Sequence, residues 1–590
     1  MSYTAPIKDI SRTLNDIAGL PELIDGGLFP DMETDLVAAI LDEAGKFASE
    51  QIAPLNRQGD VEGVTFDNGS VTMPKGWREV YEQWCEAGWG SLPGPSEFGG
   101  QGLPMLLAMA VSEMWQSASM AFGLNPLLTQ GAVEALFHYG NDELKQTYLE
   151  KMISGEWSGT MQLTEPHAGS DLSTLKTMAV PQDDGSYLLS GTKIFITYGE
   201  HDLVDNIVHM VLARTPDAPA GTRGISLFLM PKYLVNSDGS TGERNDIHSV
   251  SIEHKLGIHA SPTSVMQMGD KGGAKGWLVG DLNRGLAAMF TMMNRARLAI
   301  GVQGVAIAER SFQQALAFAN ERKQGRDLDG NETLIIGHPD VQRMLLSMKS
   351  KTAAARAICT MTARMIDIAE RSPDEAARAA GNNMASLLTP VAKAFATDVG
   401  VEVASEGIQV HGGMGFMEET GAAQHLRDAR IGPIYEGTNG IQAIDLVTRK
   451  LPLEDGATAQ RHISDLRDII ADVKASNLPA FGNMGDCLDD AVNALEDATN
   501  WMLSALKSNP RGALAGATPY LKLFSVASGG TWLAKGALAQ SRADAGSGTG
   551  TTSIARFFAE THSTEAPGLA KAIKDGAAWV SLDVTEALAG

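Results

Sequence analysis

Ile434-Tyr435-Glu436-Gly437-Thr438-Asn439-Gly440-Ile441-Gln442 sets one carboxylate between an aromatic ring and a glycine, just before an apolar helix begins. A Glu before Gly in a loop is usually a solvated group, so its weight comes from the segments around it. Upstream, Gln409-Val410-His411-Gly412-Gly413-Met414-Gly415-Phe416 interrupts a long helical pattern with three glycines. Such glycines let a backbone approach a phosphate closely, and they equally serve to end a helix. The segment matches neither G-x-G-x-x-G nor the P-loop pattern, so a Rossmann site is not supported. Earlier still, Gly191-Thr192-Lys193-Ile194-Phe195-Ile196-Thr197-Tyr198-Gly199 reads as a strand with Phe195 and Thr197 on one face. That pair suits an amphipathic ring with hydrogen-bonding edges, or simply the core. Thr164-Glu165-Pro166-His167-Ala168-Gly169-Ser170-Asp171 is a turn rich in hydroxyls and backbone N–H groups. Glu165 and Asp171 could also be read as a glycosidase-type carboxylate pair.

The surrounding pattern assigns these segments to domains. Residues 1–160 are expected to be helical, with amphipathic stretches at Asp31 to Ile52 and Met105 to Gln116 and a Pro/Gly loop at Leu92 to Gly102. From 161 to 282 the chain changes to short β-branched and aromatic runs, with Asp183-Asp184-Gly185-Ser186 as a hairpin turn. Between 283 and 455 it returns to long helices, Leu286 to Arg322, Val341 to Glu370 and Asn383 to Gly407, which with the helix after Ile441 predict a four-helix bundle. Residues 456–590 are expected to form an additional helical domain, interrupted by a flexible loop at Ala545 to Thr552. The class is therefore α+β.

A chain of 590 residues with 44% hydrophobic and 20% charged side chains is ordinary for a globular protein that folds throughout and can enclose a large cofactor. A net charge of −24 disfavours nucleic acid and anionic membranes as partners. The N-terminus shows no signal-peptide pattern and no apolar run spans a bilayer, so a cytoplasmic address is expected. Cys85, Cys359 and Cys487 are too few and too scattered for a disulfide framework, and no His/Cys cluster suggests a metal.

The four motif segments, in this order and spacing, resemble the acyl-CoA dehydrogenase family. Its patterns T-E-P-x-A-G-S-D, G-x-K-x-W-I-T, Q-x-x-G-G-x-G and I-Y-E-G-T are met between about residues 30 and 455, with Gln409 and Glu436 27 residues apart. The resemblance implies a helical N-terminal domain, a central β barrel and a helical bundle, with FAD between barrel and bundle and across a subunit interface. A homo-oligomer, with a dimer favoured, follows. It implies that Thr164 and Ser170 meet the flavin and its pyrophosphate, with Ser170 also near the acyl-CoA, and that Thr197 bonds the ring. Phe195 stands where most members have Trp. Arg322, Gln324, Gln409, Gly412 and Gly413 would reach the neighbouring subunit's FAD, and Thr438 and Gln442 would lie near its pyrophosphate and adenine side.

Glu436 matches the family's catalytic base, flanked by Tyr435 and Gly437 at the substrate. Some members place the base on the bundle helix instead, where this chain has Asn294, which cannot abstract a proton; Arg295 beside it would support the Glu436 loop or the CoA. The implied reaction is α,β-dehydrogenation to a trans-2-enoyl-CoA, with electron-transferring flavoprotein as acceptor. Typical members end soon after the bundle. Among long ones the resemblance extends to a subgroup acting on 3-methylthiopropionyl-CoA in dimethylsulfoniopropionate breakdown, through Tyr3 to Asp9, Met293 to Leu298 and the acidic tail. The alternatives are a medium- or long-chain fatty acyl-CoA dehydrogenase, an acyl-CoA oxidase, and a non-catalytic flavin-binding DNA-associated or assembly protein.

Overall fold

Two helices buried on every side, Met105–Ala118 and Met120–Tyr139, form the centre of the N-terminal part. A helix apolar all round must be covered all round, and these two lie among the first helices, the β region and the bundle. Ser119 turns the chain between them in an extended conformation, and its hydroxyl caps the second helix by accepting from the Phe122 N–H at 3.4 Å. The computed structural model describes residues 3–543, 549–578 and 588–589, with side chains for all of these but 290–294 and 549.

One eight-stranded sheet follows, running in the order Ile247–Ile252, Thr263–Met268, Tyr187–Thr197, Ala274–Val279, Ser226–Pro231, Asn206–Ala213 and Trp157–Gln162. Met178–Pro181 pairs with Tyr187–Thr197 through the expected hairpin, where Asp184 accepts from the Ser186 N–H and hydroxyl. All pairings are antiparallel except that of Trp157–Gln162 with Asn206–Ala213.

The bundle has three long helices, Gly285–Glu321, Pro339–Arg371 and Glu375–His411, the first within one residue of its expected ends and the other two running further than their apolar period alone predicts. The third starts early because the Asp374 carboxylate accepts from the Ala376 and Ala377 N–H groups. A short fourth element, Asn439–Asp445, continues into the π-helical turn Leu446–Lys450. Gly304 sets the spacing of the first and third helices: a Cβ there would lie 2.2 Å from the Ala396 carbonyl oxygen. Only a residue without a side chain allows backbones to meet so closely.

Beyond the bundle, Ala517–Ala543 is the buried axis around which Ala457–Ala475, Met484–Ser508, Thr549–Thr561 and Ala566–Gly576 pack. It meets the bundle at Gly529, where an added Cβ would be 3.1 Å from the Ala354 side chain. The loop expected at Ala545 to Thr552 falls in part, at 545–548, outside the described residues; Gly550 to Thr552 belong to a helix, since its opening threonines suit a first turn. Among the described residues no helix is long and apolar enough to cross a membrane.

Arg356 joins three helices in the interior, donating to Glu113 at 2.7–3.0 Å and to Glu309 at 2.9 Å. Burial raises the Glu309 carboxyl, but the Lys349 and Arg356 cations outweigh it and hold the group below its ordinary value. Removing a single partner from such a cluster leaves uncompensated buried charge. Arg356→Met is therefore expected to lower stability by about 3–5 kcal/mol, read as a fall in the urea midpoint. An unchanged midpoint would show that the triad carries no net stabilisation.

Candidate active site

The turn after strand Trp157–Gln162 is held by a buried ion pair. Lys193, fully buried, donates to Glu165 at 2.9 Å and to the Leu163 carbonyl at 3.0 Å. Glu165 also accepts from the Lys176 N–H, the Thr177 N–H and the Thr177 hydroxyl. Burial raises the Glu165 carboxyl, yet Lys193 and these donors draw it below its usual range. Asp171, by contrast, is exposed and caps the Ser173 N–H at 2.8 Å. One carboxylate is thus a structural clamp and the other a turn former, so they do not act as a catalytic pair.

The clamp brings Thr164 against the strand Tyr187–Thr197, where the Ile194 N–H donates to the Thr164 carbonyl at 2.9 Å. Strict alternation does not survive in this strand. A bulge between Lys193 and Ile196, where Ile194 and Phe195 stand opposite the single Val265 of the neighbouring strand, shifts the register, and Phe195 takes a φ of 61°. Its ring is 58% exposed, while Ile196 is buried and Thr197 half-buried. Bulges re-aim side chains in this way beside binding sites.

A second group of residues lies at the outer end of the bundle. Arg322 and Gln324 are exposed at the C-terminus of Gly285–Glu321 and in the strand Lys323–Arg326. Phe318, one turn before Arg322, stacks on His411 with ring centroids 4.5 Å apart, which brings the Gln409 to Gly413 turn alongside. Gly412 and Gly413 have no heavy atom within 4 Å of where a Cβ would stand.

The Glu436 loop is pinned from both sides. Glu436 and Gly437 have φ of 53° and 84°, two successive left-handed residues. That region costs a non-glycine residue roughly 1–2 kcal/mol and persists only where neighbours over-determine it. Here Gln442, fully buried, donates to the Glu436 and Gly437 carbonyls at 3.0 and 3.2 Å, and Thr438 caps the following helix by accepting from Ile441. Lys393 of the third bundle helix donates to the Gly437 carbonyl at 2.8 Å. The Tyr435 hydroxyl donates to Gln303 Oε1, and Gln303 donates to Gln116 at 3.0 Å. Gln442, expected beside a nucleotide, thus uses its amide nitrogen inside the loop, while its Oε1 has no hydrogen-bond partner among the described residues.

Of the two supports expected of Arg295, the Glu436 loop or the CoA, its bonds do not serve the first: it pairs with Glu134 and Glu370. Arg297, two positions on, turns about 200° round the helix and faces the loop; it pairs with Asp445 at 3.1 Å, and Glu436 is the next anion acting on it. The side chain of Asn294 lies outside the described residues. Sequence reading missed both Arg297 and Lys393. A lone Lys within Val391-Ala392-Lys393-Ala394-Phe395-Ala396 was the available signal, because a cation in an apolar helical run must be buried with partners.

Burial pushes the Glu436 carboxyl above its usual range, and the Arg297 and Lys393 cations partly oppose that shift. A carboxylate in this state is a stronger base than one in water.

The chain belongs to the acyl-CoA dehydrogenase family, a class of FAD-dependent oxidoreductases acting on CH–CH bonds. Its N-terminal, middle and C-terminal domain models match residues 34–156, 160–270 and 283–451, and a model described as acetyl-CoA dehydrogenase C-terminal like matches 462–582. The chain is 48% identical, over 91% of each sequence, to 3-methylmercaptopropionyl-CoA dehydrogenase of Ruegeria pomeroyi. It is 35% identical to a butyryl-CoA dehydrogenase of Syntrophomonas wolfei, over 86% of this chain and 85% of that one. The fold of Caenorhabditis elegans ACDH-11, solved with C11-CoA, superposes with a TM-score of 0.80 at 22% identity, covering 99% of this chain and 96% of that one. The acyl-CoA dehydrogenase of Bacillus anthracis complexed with FAD gives 0.74 at 21% identity, covering 93% and 89%.

The residues present fit a flavin nucleotide. Both amide atoms of the buried Gln162 lack a hydrogen-bond partner among the described residues, just before the Thr164 turn. The Phe195 ring is uncovered, and the Gly412-Gly413 turn is open to a close-lying group.

The raised carboxyl has a measurable consequence. Because the base works ionised, kcat/KM should rise with pH through a midpoint above the ordinary Glu value of about 4.3. A pH profile of kcat/KM whose acid limb lies at or below that value would contradict Glu436 as the group that must ionise.

Proposed function

We propose that the chain oxidises the Cα–Cβ bond of 3-methylmercaptopropionyl-CoA, also called 3-methylthiopropionyl-CoA, with Glu436 as the base. The observation that carries the mechanism is the half-buried carboxylate held in a left-handed turn between two interior cations. The substrate class rests on 48% identity across 91% of both sequences to the Ruegeria pomeroyi enzyme of that name. Glu436 takes the α-proton on its carboxylate, and its backbone N–H is the donor we assign to the thioester carbonyl as enolate character grows. Bound FAD supplies the acceptor for the β-hydride. Thr164, Ser170, Phe195 and Thr197 would hold its ring and pyrophosphate. Tyr435 and Gly437 flank the acyl group, and the link from Tyr435 through Gln303 to Gln116 closes the interior behind it.

We further infer a homodimer. Arg322, Gln324, Gln409, Gly412 and Gly413 lie on the surface beside Met414, Phe416 and Met417, whose apolar side chains are exposed, and Leu328 nearby is fully exposed. Exposed apolar groups in such a cluster favour a partner chain, here one whose nucleotide these residues would reach. Electron-transferring flavoprotein is the acceptor we favour. Three unpaired cysteines suit a cytoplasmic, reducing compartment. Residues 1–160, 161–282, 283–455 and 456–590 are the four units on which this reading rests.

Anaerobic titration of the flavin-loaded protein with 3-methylthiopropionyl-CoA and with butyryl- to palmitoyl-CoA tests the reading. Fast bleaching by the thioether substrate is expected, slowed by about 10²–10⁴-fold in Glu436→Gln. Bleaching by long-chain thioesters alone would reassign the substrate, and a fully active Glu436→Gln would remove Glu436 as the base.

A further inference from the structure

The third bundle helix contributes a side chain that no apolar residue could replace in kind. Lys393 lies in the middle of Glu375–His411, fully buried, among Val391, Ala392, Ala394 and Phe395. A buried ammonium is costly unless it is hydrogen-bonded and faces anions. Two of its donors are spent on the Glu436 loop: the Gly437 carbonyl at 2.8 Å and the Asn439 side-chain oxygen at 2.9 Å. Asn439 in turn donates to the Ala394 carbonyl at 3.1 Å, the Thr397 hydroxyl at 3.0 Å and Asp398 at 2.7 Å. One stretch of helix, from Lys393 to Asp398, therefore grips the loop at two points just after Glu436.

The grip falls on the element that most needs it. The Gly437 carbonyl belongs to the second of two left-handed residues, so holding it anchors the chain directly after Glu436 and limits the conformations open to that residue. Gln442 holds the same carbonyl from the other side. The electrostatics agree with the geometry. Glu436 is the first anion acting on Lys393, followed by Asp398, with Arg297 as an opposing cation, and burial brings the ammonium down to about 7. Glu436 is faced by Arg297 and Lys393, and its charge also acts on the Tyr435 phenol.

We propose that Lys393 is a positioning residue for the reaction: it fixes the Gly437 peptide so that Glu436 presents its carboxylate and N–H together, and its ammonium faces that carboxylate. The proposal rests on the reading of Glu436 as the base. It assigns to a residue of the bundle helix, outside every motif of the loop, part of the control of proton abstraction.

Stopped-flow flavin reduction by 3-methylthiopropionyl-CoA in the flavin-loaded, full-length protein tests it, comparing wild type with Lys393→Met, Lys393→Arg, Asn439→Ala and Glu436→Gln. Lys393→Met is expected to slow reduction by about a hundredfold, as a misplacement near 1 Å does, with substrate Kd changed less than about threefold. Its acid limb should move to higher pH, because a cation favouring ionised Glu436 has gone. Lys393→Arg should recover part of the rate, and Asn439→Ala should lose rate at full flavin content. Wild-type rate and an unmoved limb in Lys393→Met would overturn the proposal. Should that variant fail to bind flavin, Asn439→Ala decides, a wild-type rate there overturning it equally. If Glu436→Gln reduces its flavin as fast as wild type, the base reading falls first and the proposal with it.

Discussion

A carboxylate that takes a proton from carbon has to be withdrawn from water and still able to ionise. Around Glu436 these demands are met by burial, which raises the carboxyl, and by Arg297 and Lys393, which pull it back. The two cations come from different helices, Gly285–Glu321 and Glu375–His411. Their separation depends on how closely those helices pack, and that spacing is set where Gly304 lies on the Ala396 backbone. A methyl group at Gly304 would push apart the two helices that bring these cations to Glu436. Helix packing and acidity are thus one constraint.

The same economy runs through the rest of the molecule. Buried charges here serve as struts. Lys193 and Glu165 shape the turn that carries Thr164, and Arg356 ties Glu113 to Glu309 across three helices. Each strut is costly to leave half-made, so each selects one arrangement of the elements it joins. The extension after the bundle covers the bundle through Gly529 and the buried helix Ala517–Ala543.

Much of the fold was legible because its signals are local. Apolar periods of 3.6 marked the three long helices, and the hairpin at Asp183 to Ser186 came from turn chemistry alone. Where local signals stopped, boundaries moved: Asp374 lengthened a helix with a cap, and Gly550 to Thr552 joined a helix despite their composition. The site was legible only as motifs. Phe195 and Thr197 were named as partners on one face, but the bulge gave Phe195 a left-handed backbone and turned its ring outward.

By itself the sequence determined the class of protein and the chemistry of its motifs, and it singled out Glu436 as the candidate base, because these depend on residue type and spacing along the chain. Only the tertiary structure decided which cations face that carboxylate. Arg295 and Arg297 differ by two positions in sequence yet point to opposite sides of their helix, one toward Glu134 and Glu370 and the other toward Asp445 and Glu436. Lys393 lies 43 residues from Glu436 along the chain and beside its loop in space. Electrostatic coupling falls with distance through the folded interior, and sequence separation carries no record of that distance.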